Sequence, residues 1–124
     1  MKLRIFLAGL LVAMSAPLGL GGAERLSITV SPSVAFAPAD LIVRATIDAN
    51  DENRAIEIIA DSADFYRSSE IPLAGEKAPR TTRVDFRGLP GGAYTVTAVL
   101  KGANDKSLAH TRREIRVVAG ADTR

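Results

Sequence analysis

The sequence predicts an all-β protein: a seven-stranded antiparallel Greek-key β-sandwich, preceded by a cleaved signal peptide. Three observations predict it. Short runs in which apolar and polar residues alternate recur after residue 24, with turn residues roughly every 8–12 positions. No segment after the N-terminal apolar run has helical periodicity. The first 23 residues carry the three-part pattern of an export signal.

That signal is read from Lys2 and Arg4, the apolar run Ile5–Met14, and a small-residue region containing Pro17, Gly19, Gly21, Gly22 and Ala23. Gly21 and Ala23 suit the small pockets of a signal peptidase, so cleavage is expected before Glu24. An uncleaved membrane anchor is the alternative, since a bilayer span needs about 20 apolar residues. Pro17 and three glycines weaken a continuous helix in the second half of the run. The expected organisation is signal peptide 1–23, sandwich 24–118 and a frayed tail 119–124. No membrane span remains after cleavage.

The strands follow in order. Arg25–Val30 sets Leu26, Ile28 and Val30 against Ser27 and Thr29. Ser31–Pro38 breaks the pattern. Asp40–Asp48 places Leu41, Val43, Ala45 and Ile47 on one face, and Arg54–Ala60 has Ile56 and Ile58 in step. Tyr66–Leu73 is weaker. Pro72 has no N–H to give a ladder, so this strand belongs at a sheet edge. Arg80–Leu89 directs Thr82, Val84 and Phe86 one way. Ala93–Gly102 does the same with Tyr94, Val96, Ala98 and Leu100, and Leu108–Val118 closes the set with Ile115 and Val117 inward.

Charge and composition exclude several functions. Taking Lys2 and Arg4 from the 16 basic residues leaves 14 against 14 acidic ones, so the mature part has no field to draw in nucleic acid. There is no cysteine, which removes thiol chemistry, disulfides and thiolate metal sites. The remaining chain is long enough to hold together by its apolar core alone.

Between two strands stands Leu89-Pro90-Gly91-Gly92-Ala93-Tyr94-Thr95-Val96. Pro90 lacks a donor and glycine tolerates positive φ, so strand pairing stops here. The run resembles the tyrosine corner of immunoglobulin-like and fibronectin type III domains, and locally the carboxypeptidase-regulatory-like modules. The resemblance implies that Tyr94 is structural: its hydroxyl returns to the upstream backbone and pins the crossover between sheets, with Pro90 and Gly91 shaping the corner. The chain has no tryptophan and no cysteine, so the buried Trp and paired Cys of many immunoglobulin-like domains have no counterpart.

No catalytic constellation is legible. His110 is the single histidine and stands beside Thr111, Arg112 and Arg113 with no second base or ligand nearby in sequence. The serines at 62, 68 and 69 lie near acids but lack an adjacent base. Asp48, Asn50 and Glu52 have the opening spacing of a calcium loop, but Asn53 stands where its glycine belongs and Ile59 where its terminal acid belongs. A looser calcium site would add Asp61 or Asp64. Arg80, Arg83, Arg87, Arg112, Arg113 and Arg116 are interleaved with Asp85 and Glu114 and read as solvated mixed-charge faces. A sugar platform would need exposed aromatic rings, and only Tyr66, with Phe65 beside it, is free for that role.

The most chemically mixed stretch is Asp64–Glu70, so Phe65, Tyr66, Arg67 and Glu70 are the partner-binding candidates. The expected function is that of an exported, non-enzymatic module of the bacterial cell envelope, periplasmic or secreted. It would act through contact with an envelope or extracellular protein, without a cofactor, as a monomer or weak oligomer. The alternative is a ligand-binding module that takes glycan or calcium through its end-loops.

Overall fold

A computed structural model describes residues 25–119. The expected signal segment 1–23 and the end of the expected tail lie outside them. Within this range the chain is all-β and folds into two facing sheets. Among the described residues no helix is long and apolar enough to cross a membrane.

The strands are β1 (Leu26–Ser31), β2 (Val34–Phe36), β3 (Ala39–Ile47), β4 (Ala55–Asp61), β5 (Tyr66–Pro72), β6 (Thr81–Leu89), β7 (Gly92–Lys101) and β8 (Ser107–Val118). One sheet has the order β1-β3-β6 and the other β2-β8-β7-β4-β5. Single 3-10 turns at Gly75–Lys77 and Ala103–Asp105 join β5 to β6 and β7 to β8.

Two expectations are corrected. Among the described residues there are eight strands, not seven, and the sandwich is not purely antiparallel. The segment read as a break contains β2, which pairs parallel to β8 with Val34 beside Arg116 and Phe36 beside Val118. Prolines at 32 and 38 bracket Val-Ala-Phe and keep it to three residues. The chain therefore leaves the first sheet after β1, borrows the edge of β8 briefly, and returns as β3. A run this short sits below the length at which alternation is detectable.

The buried faces follow the alternation. Leu41, Val43, Ala45 and Ile47 of β3 are buried, as are Ile56, Ile58 and Ala60 of β4. Tyr94, Val96, Ala98 and Leu100 of β7 are all 0 % exposed. Val84 and Phe86 of β6 and Ile115 and Val117 of β8 complete the two inner faces. The core is aliphatic with two large rings, Phe86 and Tyr94. Burying each such side chain contributes about 1.5–3 kcal/mol.

The corner after β6 makes the chain change sheets: β6 belongs to the three-stranded sheet and β7 to the five-stranded one. The Tyr94 hydroxyl donates to the carbonyl oxygen of Pro90 at 2.7 Å. Gly92 has the positive φ expected of a corner glycine, at +158°, and two neighbouring glycines add other roles. The left-handed residue is Gly88, at φ +68°, one step before the corner, and its N–H donates to Asp40 Oδ1 at 3.0 Å. Gly91 is required for space instead: a Cβ there would stand 3.2 Å from the Cα of Ala119, which runs against the corner.

Candidate functional site

The free edges of the two sheets decide where this molecule can offer backbone to a partner. In an antiparallel pair, residues alternate between pointing their N–H and C=O at the partner strand and away from it. The turn from β4 to β5 closes with Ser62 N–H donating to Phe65 O at 2.8 Å, and the far end with Leu73 N–H donating to Arg54 O at 2.8 Å. Both bonds fit the register Ile58↔Ser69 without a shift. Residues 65, 67, 69, 71 and 73 therefore face β4. Tyr66, Ser68 and Glu70 point their backbone groups outward, and Pro72 ends the row with a carbonyl and no N–H.

The same residues present their side chains on the outer face of the sheet, in register with Asp61, Ile59 and Glu57 of β4. Tyr66 is 60 % exposed. Glu70 faces Glu57 directly across the ladder, a like-charge pair that is unfavourable by itself. Lys101 of β7 resolves it: its ammonium lies 3.1 Å from Glu57 Oε1 and 3.6 Å from Glu70 Oε1. The hydrogen bond to Glu57 raises the Lys101 pKa above the ordinary lysine value, with the nearby glutamate charges adding to it.

Of the other candidates, Phe65 and Arg67 are structural partners of the core rim. The Phe65 ring meets Tyr94 edge to face, with centroids 6.3 Å apart, and the Arg67 guanidinium lies 5.0 Å from the Phe65 centroid. Arg67 Nη1 also donates to Arg87 O at 2.8 Å, tying β5 to β6 across the two sheets. Of the expected partner set, Tyr66 and Glu70 stand at the open edge, while Phe65 and Arg67 are spent on holding it in place. The Phe65 ring is engaged by Tyr94 and Arg67, while Tyr66 stands on the outer face of the sheet.

The open edges of β6, and of β8 beyond β2, carry more charge, whereas the outward row of β1 is Leu26, Ile28 and Val30. The outward row of β6 contains Arg83, Asp85 and Arg87, because Ile47 N–H donates to Arg80 O and fixes the alternation. Arg83 Nε donates to Asp85 Oδ1 at 2.8 Å, and this bond holds the Asp85 carboxyl below the ordinary aspartate range. On β8, Arg116 N–H donates to Ser33 O, so the outward row is Leu108, His110, Arg112 and Glu114. Charged residues along a free edge oppose pairing with a foreign strand.

The loops separate into two ends. Residues 48–53 and the β7–β8 loop share one end, where Arg54 N–H donates to Lys101 O at 2.8 Å. Asp61, the last residue of β4, and Asp64 lie at the other, about 20 Å along the strand. The calcium candidates Asp48, Asn50, Glu52, Asp61 and Asp64 are thus not brought together. Asn50 Oδ1 is already used, accepting the Glu52 N–H at 2.8 Å as an Asx turn. Among the described residues no group of three or more His, Cys, Asp or Glu side chains is placed to hold a metal ion.

His110 is exposed and faces Val99 in the β7–β8 ladder. Two features were not legible. Asn53 is the one buried polar residue among those described. Its Nδ2 donates to Asp48 O at 3.0 Å and its carbonyl accepts from Gly75 N–H at 3.0 Å, locking this loop to the β5–β6 connection. A solitary Asn in a polar loop gives no sign of that. Val34 and Phe36 of β2 are 59 % and 70 % exposed. Three apolar residues in a row, Val34-Ala35-Phe36, are too few to show a strand period.

No family model matches the chain, and no curated protein matches it in sequence. Solved structures do match its fold. A superoxide reductase (neelaredoxin) variant from Ignicoccus hospitalis aligns with a TM-score of 0.60 at 14 % identity, covering 79 % of this chain and 85 % of that one. The sulfur carrier protein SoxY from Chlorobium limicola aligns at 0.58 and 14 %, covering 83 % and 93 %. The PKD domain of an M14-like peptidase from a Thermoplasmatales archaeon aligns at 0.55 and 14 %, covering 75 % and 92 %. At such identities the likeness is one of fold: an immunoglobulin-like β-sandwich.

Proposed function

We propose that this chain is an exported, non-enzymatic β-sandwich module of the cell envelope that binds another protein by accepting a strand on the open edge of β5. One observation carries the reading: of the outward rows of β5, β6 and β8, that of β5 alone is free of arginine, and it holds an exposed tyrosine. The β5 row is Tyr66, Ser68, Glu70 and Pro72, against Arg83, Asp85 and Arg87 on β6 and His110, Arg112 and Glu114 on β8. Strand addition draws affinity from main-chain hydrogen bonds and specificity from the alternate side chains. Export rests on the pattern of residues 1–23. The fibronectin type III arrangement is the favoured subfamily, because β5 joins the sheet of β4, β7 and β8 and no described strand pairs with the outer side of β6.

Ser68→Pro tests the reading. The Ser68 N–H points away from β4, so proline there removes an outward donor and no internal bond. Capture from an envelope fraction with wild-type protein and with Ser68→Pro should differ by the loss of one saturable partner. Binding of that purified partner should slow amide exchange at Tyr66, Ser68 and Glu70. A partner held equally well by both proteins, with exchange at those amides unchanged, would overturn it.

A further inference from the structure

We propose that the strand accepted by β5 is β5 of a second copy, paired antiparallel about a two-fold axis at Ser68. The inference rests on the reading of β5 as the contact edge and names its occupant. A two-fold interface uses the same patch on both copies, so the edge must complement itself. Centred on Ser68, Tyr66 of one copy faces Glu70 of the other, Ser68 faces Ser68, and Glu70 faces Tyr66. Each of these pairs exchanges two main-chain hydrogen bonds, and every outward N–H of the row is used.

Neighbouring registers are worse for stated reasons. Moving two residues one way sets Pro72 opposite Tyr66, where the proline has no N–H for the Tyr66 carbonyl. Moving two residues the other way sets Glu70 opposite Asp64, and centring on Glu70 sets it opposite itself. Both oppose like charges. In the Ser68 register each Glu70 keeps its own Lys101 at 3.6 Å and gains a neutral, exposed tyrosine as neighbour. The two five-stranded sheets then run on as one. A contact made by one edge strand falls below the roughly 1,200–2,000 Å² of a standard interface, so the dimer is weak and concentration-dependent.

The chain has no cysteine, so introduced ones report pairing cleanly. Facing residues of a hydrogen-bonded antiparallel pair have Cα atoms about 5.5 Å apart, inside the range a disulfide spans. Under mild oxidation Ser68→Cys should form a covalent dimer at least tenfold faster than Thr97→Cys, which lies mid-sheet on the same face. Tyr66→Cys and Glu70→Cys should each cross-link slowly, and the doubly substituted Tyr66→Cys/Glu70→Cys chain quickly. Reversible dimerisation of the cysteine-free protein, read by sedimentation at rising concentration, should vanish in Ser68→Pro. Equal cross-linking at 68 and 97, fastest cross-linking of Tyr66→Cys alone, or self-association that survives Ser68→Pro would each overturn the inference. If the protein stays monomeric while the edge amides become protected by a different protein, self-pairing fails and strand acceptance stands. If neither occurs, both fall.

Discussion

The hydroxyl of Tyr94, on the first inward position of β7, donates to the carbonyl oxygen of Pro90, four residues back, at 2.7 Å. The side chain is 0 % exposed and its ring supports Phe65, on which Arg67 rests. One hydrogen bond thus fixes the crossover between the sheets and, through two further contacts, the start of the β5 edge.

Tyr94→Phe keeps the ring and loses this bond. The expected cost is about 1–3 kcal/mol, the range for leaving a hydrogen-bond partner without its donor. Because the Pro90 residue is exposed and its carbonyl can be rehydrated, the lower half of that range is expected. Chemical denaturation measures it, and dimer cross-linking through Ser68→Cys should be retained in the Tyr94→Phe background.

Lys101→Met removes the cation between Glu57 and Glu70, which remain opposite each other. The melting temperature should fall at pH 7. The alkaline side has a defined sign. The folded Lys101 pKa is raised above its ordinary 10.5, so its stabilisation is fully present below that value and is lost as pH rises through the higher folded value. The wild-type protein should lose this increment above about pH 10.5 and Lys101→Met should not.

Asp85→Asn tests the opposite limb. Arg83 holds the Asp85 carboxyl below its ordinary 3.8, with Arg87 and Arg44 contributing. The stabilisation is present above the unfolded value and is lost as pH falls through the depressed folded one. Wild-type and Asp85→Asn melting curves should differ at pH 6 and converge well below pH 3.8. Arg44 and Arg83 also face each other across β3 and β6, so the variant should be more sensitive to low salt.

Ile58→Ala empties a position that is 0 % exposed between the sheets. The expected loss is about 2–5 kcal/mol, read by denaturant midpoint at unchanged slope.

Calcium should leave the melting midpoint where it stands in EDTA. Asp48, Asn50 and Glu52 lie at one end of β4 and Asp61 and Asp64 at the other, so these five do not form one ligand set, and no other acidic or histidine cluster stands among the described residues to link binding to folding. A rise in millimolar calcium would contradict that geometry.

Sequence by itself determined the two inner faces, because period-two alternation in β3, β4, β7 and β8 can satisfy water only if one side is buried. It also determined the corner, since Pro90 and Tyr94 bring their own chemistry to any sandwich, and the edge position of β5, since Pro72 cannot donate. Tertiary structure alone decided which groups meet. Asn53 is buried because the β5–β6 connection folds over it. Asp61 parts from Asp48 because a straight strand runs between them. The outward row of β5 became an edge because the sheet order placed nothing beyond it. Such pairings join residues far apart in sequence, and no local pattern encodes the distance between them.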